Sequence, residues 1–190
     1  MTLLTALELR GREFCFILNR ALRDDDVALA DPIGALSRAI NLLCVTAGPS
    51  THPASVAHPP NDLCFRGGGF DDRYRGFFVA RRHFRHPMYL ATSFSQASAD
   101  FFMRRSTMES KIRWLVRIDP VLKCNHVNLV TKRVPDLPDE QEYLFAPYSA
   151  FIVLSAVWNA GSDEDPHVVQ LLASVDNKAE PEDLPLAPWS

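Results

Sequence analysis

Paired carboxylates are the first candidates for chemistry in this 190-residue chain. Glu140 and Glu142 lie two residues apart, where a proline-containing loop runs into the apolar, aromatic segment EYLFAPYSAF. Side chains two residues apart on an extended chain point the same way, so both carboxylates can face one ligand. Such a pair can stabilise a cationic transition state and can orient or deprotonate an attacking group. Without further support, however, such residues are more often solvated loop acids.

Two other segments carry residues suited to a phosphate-containing ligand. Arg66 precedes three glycines in CFRGGG; the glycines let a backbone approach a ligand, and a guanidinium offers planar, multidentate donors to phosphate. The glycine run is too short for a dinucleotide-binding fingerprint. The segment LATSFS ends in the small hydroxyl residues Thr92 and Ser93. Arg75, in the strand-like stretch YRG, is a rival to Arg66, which we prefer because apolar residues alternate before it.

Metal and nucleic-acid sites are less favoured. His83 and His86 have no third ligand nearby in sequence and the four cysteines match no metal spacing, so we expect surface histidines, reduced thiols and no metal. The run RYRGFFVARRHFRH interleaves arginines with aromatic residues, which fits phosphate binding and a solvated strand pair about equally. Because the net charge is -3, we expect no extensive binding of nucleic acid.

Length and composition predict one domain. A chain that is 47% hydrophobic can form a single well-packed core, here expected over residues 10–175 of a domain spanning 1–190. The residues after Gly161 include seven acids and one lysine, and the chain is expected to end in a loose acidic tail. The segment MTLLTALELRGREF lacks a basic start followed by an apolar core, so we expect no signal segment, and no apolar run approaches the ~20 residues of a membrane span. We expect a cytosolic monomer with no membrane partner.

The pattern of apolar residues predicts helices first and strands afterwards. The first helix carries an apolar stripe at Phe14, Ile17, Leu18, Ala21 and Leu22. The second begins with Asp31 and Pro32 as N-cap and first-turn residue and ends before Gly48. After a proline-rich spacer, the predicted strands are LCFRG, MYLATSF, IRWLVRI, YLFA, AFIVLSAVW and HVVQLLASV. One helix interrupts them, with Ser95 as its N-cap.

In chain order, the three candidate segments resemble the arginine, serine and glutamate motifs of mono-ADP-ribosyltransferases of the cholera-toxin-like class, as found in bacterial toxins and effectors. CFRGGG matches the arginine motif, LATSFS the serine motif and DEQEYLFAPYSAF the glutamate motif. The resemblance extends to the helical segments FILNRALR and PIGALSRAINLL. It implies an α+β fold in which N-terminal helices pack on a two-sheet β-sandwich that holds NAD in a cleft.

The resemblance also implies roles for single residues in the NAD site. Glu142 would supply the negative charge that stabilises the ribose cation formed as nicotinamide leaves NAD. Arg66 would bind the pyrophosphate, and Gly67 would offer its backbone to the nicotinamide amide. Thr92 and Ser93 would complete the site.

Further roles concern the leaving group and the acceptor. Phe102 is expected to stack on the leaving ring, unless it belongs to the core, and Arg105 to reach phosphate. Glu140 would face the acceptor, and in this family a glutamate at that place goes with arginine acceptors. The loop TKRVPDLPDEQ corresponds to the target-recognition loop, where Leu137 and Pro138 would contact a protein partner.

The chain departs from the family's serine motif at Ala91, because the serine normally found there steadies the catalytic glutamate. Thr92 or Ser93 would take over this task, or the glutamate is oriented in another way. We expect NAD-dependent mono-ADP-ribosylation of a protein, with NAD as substrate and no metal. The expected acceptor is arginine, and the alternative is threonine, for example of ubiquitin. An NAD glycohydrolase and a catalytically inactive module that binds NAD or a partner stay open. An injected effector would act in the host cytosol.

Overall fold

The computed structural model describes residues 8–9, 12–46, 59–120, 126–128 and 142–188. Helices and strands follow in the order β1 (Glu8–Leu9), β2 (Arg12–Glu13), α1 (Phe14–Arg23), α2 (Ala30–Cys44), β3 (Val45–Thr46), β4 (Leu63–Phe70), β5 (His83–His86), β6 (Leu90–Ser93), α3 (Gln96–Arg105), β7 (Ser110–Arg117), β8 (His126–Asn128), β9 (Glu142–Phe145), β10 (Ser149–Val157) and β11 (His167–Ala173). Within these ranges, no helix has the length and apolar character needed to cross a membrane.

Apart from the β1–β2 pair, the described strands form one sheet in the order β3-β8-β9-β6-β4-β7-β11-β10-β5. Strand β4 pairs with β7 along its whole length, but it is joined to β6 only through Phe65 and Ser93. The sheet therefore divides at this pair into a half of four strands, β3-β8-β9-β6, and a half of five strands, β4-β7-β11-β10-β5.

The two halves of the sheet pack face to face around aromatic side chains. The ring of Phe145 in β9 lies 5.3 Å from that of Phe151 in β10, which joins the two halves. In the core beside them, the ring of Phe78, in the loop before β5, lies 4.9 Å from that of Trp114 in β7. Both pairs are close to edge-to-face, an arrangement that aromatic rings prefer. This packing confirms the predicted α+β fold with a two-sheet sandwich. The six predicted strand segments form β4, β6, β7, β9, β10 and β11.

Helices α1 and α2 cover the other face of the four-strand half. Leu18 and Ala21 of α1 are buried together with Ile33 of α2 and with Leu144 of β9. Leu144 alternates with residues that point into the sandwich, so its side chain lies on the helix-covered face. The apolar stripe predicted for α1 is confirmed at its buried positions. The side-chain oxygen of Asn19 also accepts a hydrogen bond of 3.1 Å from the backbone amide of Tyr89, the residue just before β6.

The start of α2 differs from the expectation. The helix begins at Ala30, directly after the 3-10 turn Val27–Leu29. The capping carboxylate belongs to Asp26, which accepts a hydrogen bond of 3.0 Å from the amide of Ala28. Asp31 lies in the first turn instead, where a negative charge is favoured by the helix dipole.

The end of the chain is bound to the domain and is not a loose tail. The guanidinium of Arg85 in β5 donates hydrogen bonds of 2.9–3.1 Å to the backbone carbonyls of Asn177, Glu180 and Pro181. The amide of Ala187 donates to the carbonyl of Arg85 at 2.8 Å. Residues 176–187 therefore cover the outer edge of β5, and such protection is common where a strand would otherwise expose unpaired backbone groups.

Candidate active site

The strand order brings together the three segments that carry the candidate residues. Strands β9, β6 and β4 are neighbours in the sheet, although they are distant in sequence. Ser93 at the end of β6 is the cross-strand partner of Glu142 on one side and of Phe65 on the other. Arg66 follows Phe65 in β4. The junction between the two halves of the sheet is thus the place where the arginine, the hydroxyl residues and the glutamate meet.

Arg66 is fixed to the neighbouring strand. Its Nη1 donates a hydrogen bond of 2.9 Å to the carbonyl oxygen of Ala91. Burial lowers the pKa of the guanidinium, and the nearby charge of Glu142 raises it in part. The group remains a cation because the ordinary pKa of arginine is so high. Its remaining N–H groups make no further hydrogen bond within the described residues and can therefore meet an anion.

Arg75 lies in a different environment. Its Nη2 is 2.8 Å from a carboxylate oxygen of Asp72 and 2.9 Å from Nε2 of His167. Burial tends to raise the pKa of Asp72, but hydrogen bonds from Ser110, Arg75 and His167 outweigh it and lower that pKa. The guanidinium also lies over the ring of Trp158, at 5.7 Å from its centroid. The stretch YRG is part of a 3-10 helix and turn, so the prediction of a strand there was wrong.

The two hydroxyl residues of β6 have separate hydrogen bonds. Thr92 Oγ1 donates to the backbone carbonyl of Tyr143 at 2.6 Å and is buried. Ser93 Oγ accepts a hydrogen bond of 3.0 Å from the amide of Ser95. Ser95 in turn caps α3, accepting from the amide of Ser98 at 3.3 Å, which confirms the predicted N-cap. The end of β6 is therefore connected to the first turn of α3 by consecutive side-chain contacts.

Gly67 has a packing reason to be glycine. A Cβ atom at this position would lie 2.0 Å from the carbonyl oxygen of Ala99 and 2.7 Å from the Cβ of Met103, both in α3. Helix α3 can cross β4 this closely only because no side chain is present at the crossing point. Beside it, Arg113 of β7, the cross-strand partner of Gly67, forms a 2.8 Å ion pair with Asp100.

Helix α3 presents its aromatic pair to solvent. Phe102 is 49% exposed, so the alternative that it belongs to the core was wrong. Its ring is edge-to-face with that of Phe101 at 5.6 Å, and the guanidinium of Arg105 lies 5.2 Å from the Phe101 centroid. The predicted target-contacting residues Leu137, Pro138 and Glu140 lie outside the described residues.

His86 is a residue near the site that the sequence reasoning placed wrongly. It is buried, not at the surface, and its Nδ1 lies 2.9 Å from the carbonyl of Met88. Burial lowers the pKa of His86 to about 3; the hydrogen bond to Met88 opposes this shift and the charge of Arg66 adds to it. Strand alternation could have shown from the sequence that His86 is buried, because it places His86 on the same side of β5 as the buried Phe84. The described residues contain no group of three side chains that could hold a metal ion.

Comparison with known proteins supports the fold through structure and not through sequence. No protein-family profile matches the chain, and no curated protein matches it. The chain is similar to the solved structure of the ADP-ribosyltransferase Vis, a toxin from Vibrio splendidus, in complex with agmatine. That likeness has a TM-score of 0.61 and 14% identity, and it covers 88% of this chain and 71% of Vis.

Two further structures show the same likeness. The ADP-ribosyltransferase HopU1 of Pseudomonas syringae pv. Tomato DC3000 has a TM-score of 0.55 and 15% identity, over 90% of this chain and 71% of HopU1. C3stau2 from S. aureus, crystallised with NAD, has a TM-score of 0.53 and 16% identity, over 82% of this chain and 79% of C3stau2. This chain therefore has the fold of the bacterial ADP-ribosyltransferases.

Proposed function

We propose that this protein transfers ADP-ribose from NAD to a side chain of a target protein and releases nicotinamide. The observation that carries the proposal is the adjacency of Arg66, Ser93 and Glu142, which three neighbouring strands bring to the junction of the sandwich. A cation, a hydroxyl group and a carboxylate on one rigid sheet form a set of groups suited to a dinucleotide whose ribose becomes positively charged during reaction.

Cleavage of NAD would occur at the bond between the nicotinamide nitrogen and C1′ of the ribose. The electron pair of this bond leaves with nicotinamide, which becomes neutral, while the ribose gains oxocarbenium character. The carboxylate of Glu142 would lie near the ribose and accept a hydrogen bond from its 2′-hydroxyl. Because the positive charge on the sugar develops only in the transition state, this carboxylate stabilises the transition state more than bound NAD.

The remaining binding residues would hold NAD in place for this step. Arg66 would bind the pyrophosphate with the N–H groups that Ala91 does not use. Gly67 would offer its backbone to the nicotinamide amide, and Ser93 would line the floor of the site. Thr92, whose hydroxyl donates to the backbone of Tyr143, would hold β6 against β9 behind this floor.

Helix α3 would contribute from the side. Its exposed Phe102 would stack on the nicotinamide ring, and Arg105 would turn away from Phe101 to reach a phosphate.

The acceptor we propose is arginine. Vis was crystallised with agmatine, a small molecule that ends in a guanidino group, as arginine does. A guanidino nitrogen would attack C1′ and lose a proton, and Glu140 would orient the group and take the proton. Leu137 and Pro138 would contact the surface of the target protein. A threonine acceptor, for example on ubiquitin, is the alternative outcome of the experiment below.

The test is incubation of the protein with labelled NAD and a eukaryotic lysate, followed by mass spectrometry of the labelled protein. Wild type should release nicotinamide and label a protein on arginine, and Glu142→Gln should lose both activities. Glu164→Gln, in an exposed loop, is the matched control and should retain both. Glu140→Gln should retain hydrolysis of NAD and lose transfer, because water needs no positioning by this group.

Other outcomes separate the competing functions. Nicotinamide release without any labelled protein would identify an NAD glycohydrolase. Tight binding of NAD without release of nicotinamide would identify a binding module and overturn the proposal. Label on threonine would correct the acceptor alone. An injected effector acting in a host cytosol should find its target in the eukaryotic lysate and not in a bacterial lysate treated in the same way.

A further inference from the structure

Helix α3 lies along β4 with one side buried and the other side in solvent. A Cβ atom at Gly67 of β4 would meet Ala99 and Met103, which are one helical turn apart and both buried. A Cβ atom at Gly69 would meet Ser106, just past the end of the helix, so the helix and the strand run side by side. These contacts fix which flank of α3 faces which neighbouring strand.

The two flanks of α3 face different strands. Successive residues of an α-helix are rotated by about 100°. Asp100 comes one residue after the buried Ala99, and its ion pair of 2.8 Å with Arg113 places this flank towards β7. Phe102 comes one residue before the buried Met103, on the opposite flank. Because the strand order is β6-β4-β7, Phe102 faces β6 and the junction that carries the candidate site.

Phe101 lies on neither flank. It is two residues from Ala99 and two from Met103, so its side chain points directly away from the sheet. The residue is 52% exposed, although the guanidinium of Arg105 lies 5.2 Å from its ring centroid. Core packing does not explain this ring, and the flank that faces the site already carries Phe102. Exposed aromatic side chains of this kind are enriched where proteins bind other proteins.

Positive charge accompanies Phe101 on the solvent side of α3. Arg104 is exposed and follows Phe101 by three residues, so the two side chains are neighbours on the helix surface. Asp100 has the spacing to neutralise Arg104, four residues later. Its carboxylate is used elsewhere, because Nε and Nη2 of Arg113 both lie 2.8 Å from Oδ1 of Asp100. In the part of the chain that the structure describes, Arg104 forms no ion pair.

We propose that Phe101 and Arg104 form a contact surface for the acceptor protein, an inference that rests on the proposed function. Helix α3 lies beside the junction where NAD would bind, so a protein placed over this junction for transfer also covers α3. An apolar side chain of the acceptor would pack on Phe101, and a carboxylate beside it would pair with Arg104. The surface therefore fits an acceptor whose modified side chain has acidic and apolar neighbours.

Single-stranded nucleic acid is the other ligand that combines negative charge with flat apolar groups. The net charge of the chain is -3, which opposes the approach of a polyanion. A protein contact needs only the local charge of Arg104. The observations therefore favour an acidic protein surface.

The first test measures binding and needs no turnover. Two peptides each contain a single arginine, surrounded by glutamate and leucine in the first and by lysine and leucine in the second. In an NMR titration, the acidic peptide should shift the signals of Phe101 and should bind more tightly than the basic peptide. Phe101→Ser and Arg104→Glu should each weaken its binding by about 10-fold. Arg81→Glu, the matched control just before the edge strand β5, should leave the Kd unchanged.

Three results of this titration would overturn the proposal. The first is an acidic peptide that does not bind or binds no better than the basic peptide. The second is a Kd for the acidic peptide that neither Phe101→Ser nor Arg104→Glu changes. The third is a thymidine oligonucleotide that binds these residues more tightly than the acidic peptide, which would assign the surface to nucleic acid.

The second test compares acceptors of different size. Arg104→Glu should lower kcat/KM for labelling of the acidic peptide by about 10-fold. It should leave nicotinamide release into water and labelling of agmatine at wild-type rates, because neither needs a protein contact. Equal losses with the peptide and with agmatine would indicate a defect in the NAD site and overturn the role of Arg104. A wild type that releases no nicotinamide refutes the proposed function, and the peptide titration then decides by itself whether α3 binds an acidic surface.

Discussion

Replacing Gly67 with alanine should destabilise the domain, because α3 crosses β4 at this residue with no space for a side chain. The new Cβ would lie 2.0 Å from the carbonyl oxygen of Ala99, whereas an ordinary contact between carbon and oxygen is about 3.4 Å. Strand or helix must therefore move by about 1.4 Å. The obstructing atom belongs to the backbone of a helix, so it cannot be relieved by a change of rotamer.

The expected magnitude follows from two opposing effects. Overpacking of this kind costs about 1–3 kcal/mol, and more where the backbone must shift. The lower entropy of alanine in the unfolded chain offsets about 0.5–1 kcal/mol. Because the backbone must shift here, the cost lies in the upper part of that range, at about 2–3 kcal/mol, and after the offset we expect the free energy of unfolding of Gly67→Ala to fall by about 1–2.5 kcal/mol. Urea denaturation with a common slope for both proteins measures this difference.

Gly68 supplies the matched control within the same strand. A Cβ atom there would meet nothing within 4 Å, so Gly68→Ala should be as stable as wild type or slightly more stable. Helix α3 begins directly after Ser95, two residues beyond Ser93 of the proposed NAD site. A shift of α3 in Gly67→Ala should therefore also weaken NAD binding. If Gly67→Ala and Gly68→Ala unfold at the same urea concentration, the close crossing of α3 over β4 is refuted.

Three further predictions concern the cation of the site, the buried histidine and the chain terminus. In a calorimetric titration, Arg66→Ala should weaken NAD binding strongly. Arg75→Ala should change NAD binding little, because Arg75 already pairs with Asp72. The reverse ranking would transfer the phosphate-binding role from Arg66 to Arg75. His86 has a folded-state pKa of about 3, below the unfolded value of about 6.5, so the unfolded chain takes up a proton first as pH falls. Wild type should therefore lose about 2 kcal/mol of stability between pH 7 and pH 5. The free energy of unfolding of His86→Asn should lack this part of the dependence on pH. Equal slopes would show that this residue is not buried in its neutral form. Arg85→Ala should lower the free energy of unfolding by about 2 kcal/mol and make the chain after residue 175 sensitive to limited proteolysis, because the hydrogen bonds of Arg85 to the carbonyls of that segment are lost. A segment as resistant to protease as in wild type would contradict this.

Local pattern was sufficient to predict most elements of the fold. The alternation of apolar residues located β4, β6, β7 and β9–β11, and the stripe of Leu18 and Ala21 located the buried face of α1. Ser95 was found as a helix cap because capping depends on residues within one turn. The three candidate segments could likewise be selected by residue type and chain order, because each is a short contiguous stretch.

Errors arose where the environment of a residue depends on distant parts of the chain. His86 was assigned to the surface, yet the sandwich buries it near Arg66. The acidic terminus was expected to be loose, but its backbone carbonyls bind Arg85. Charge and composition alone could not show either result, because burial and backbone pairing are decided by residues far away in the sequence.

The residue types available for NAD chemistry were determined by the sequence alone: an arginine before glycines, two adjacent hydroxyl residues and a glutamate at the start of a strand. Only the tertiary structure decided how they are arranged. The pairing of Ser93 with both Phe65 and Glu142 sets which hydroxyl shares a face with the carboxylate. A shift of one residue in this register would place Thr92 there instead, because side chains alternate between the two faces of a strand. Register is set by the packing of whole strands and helices, so it cannot be read from any one segment.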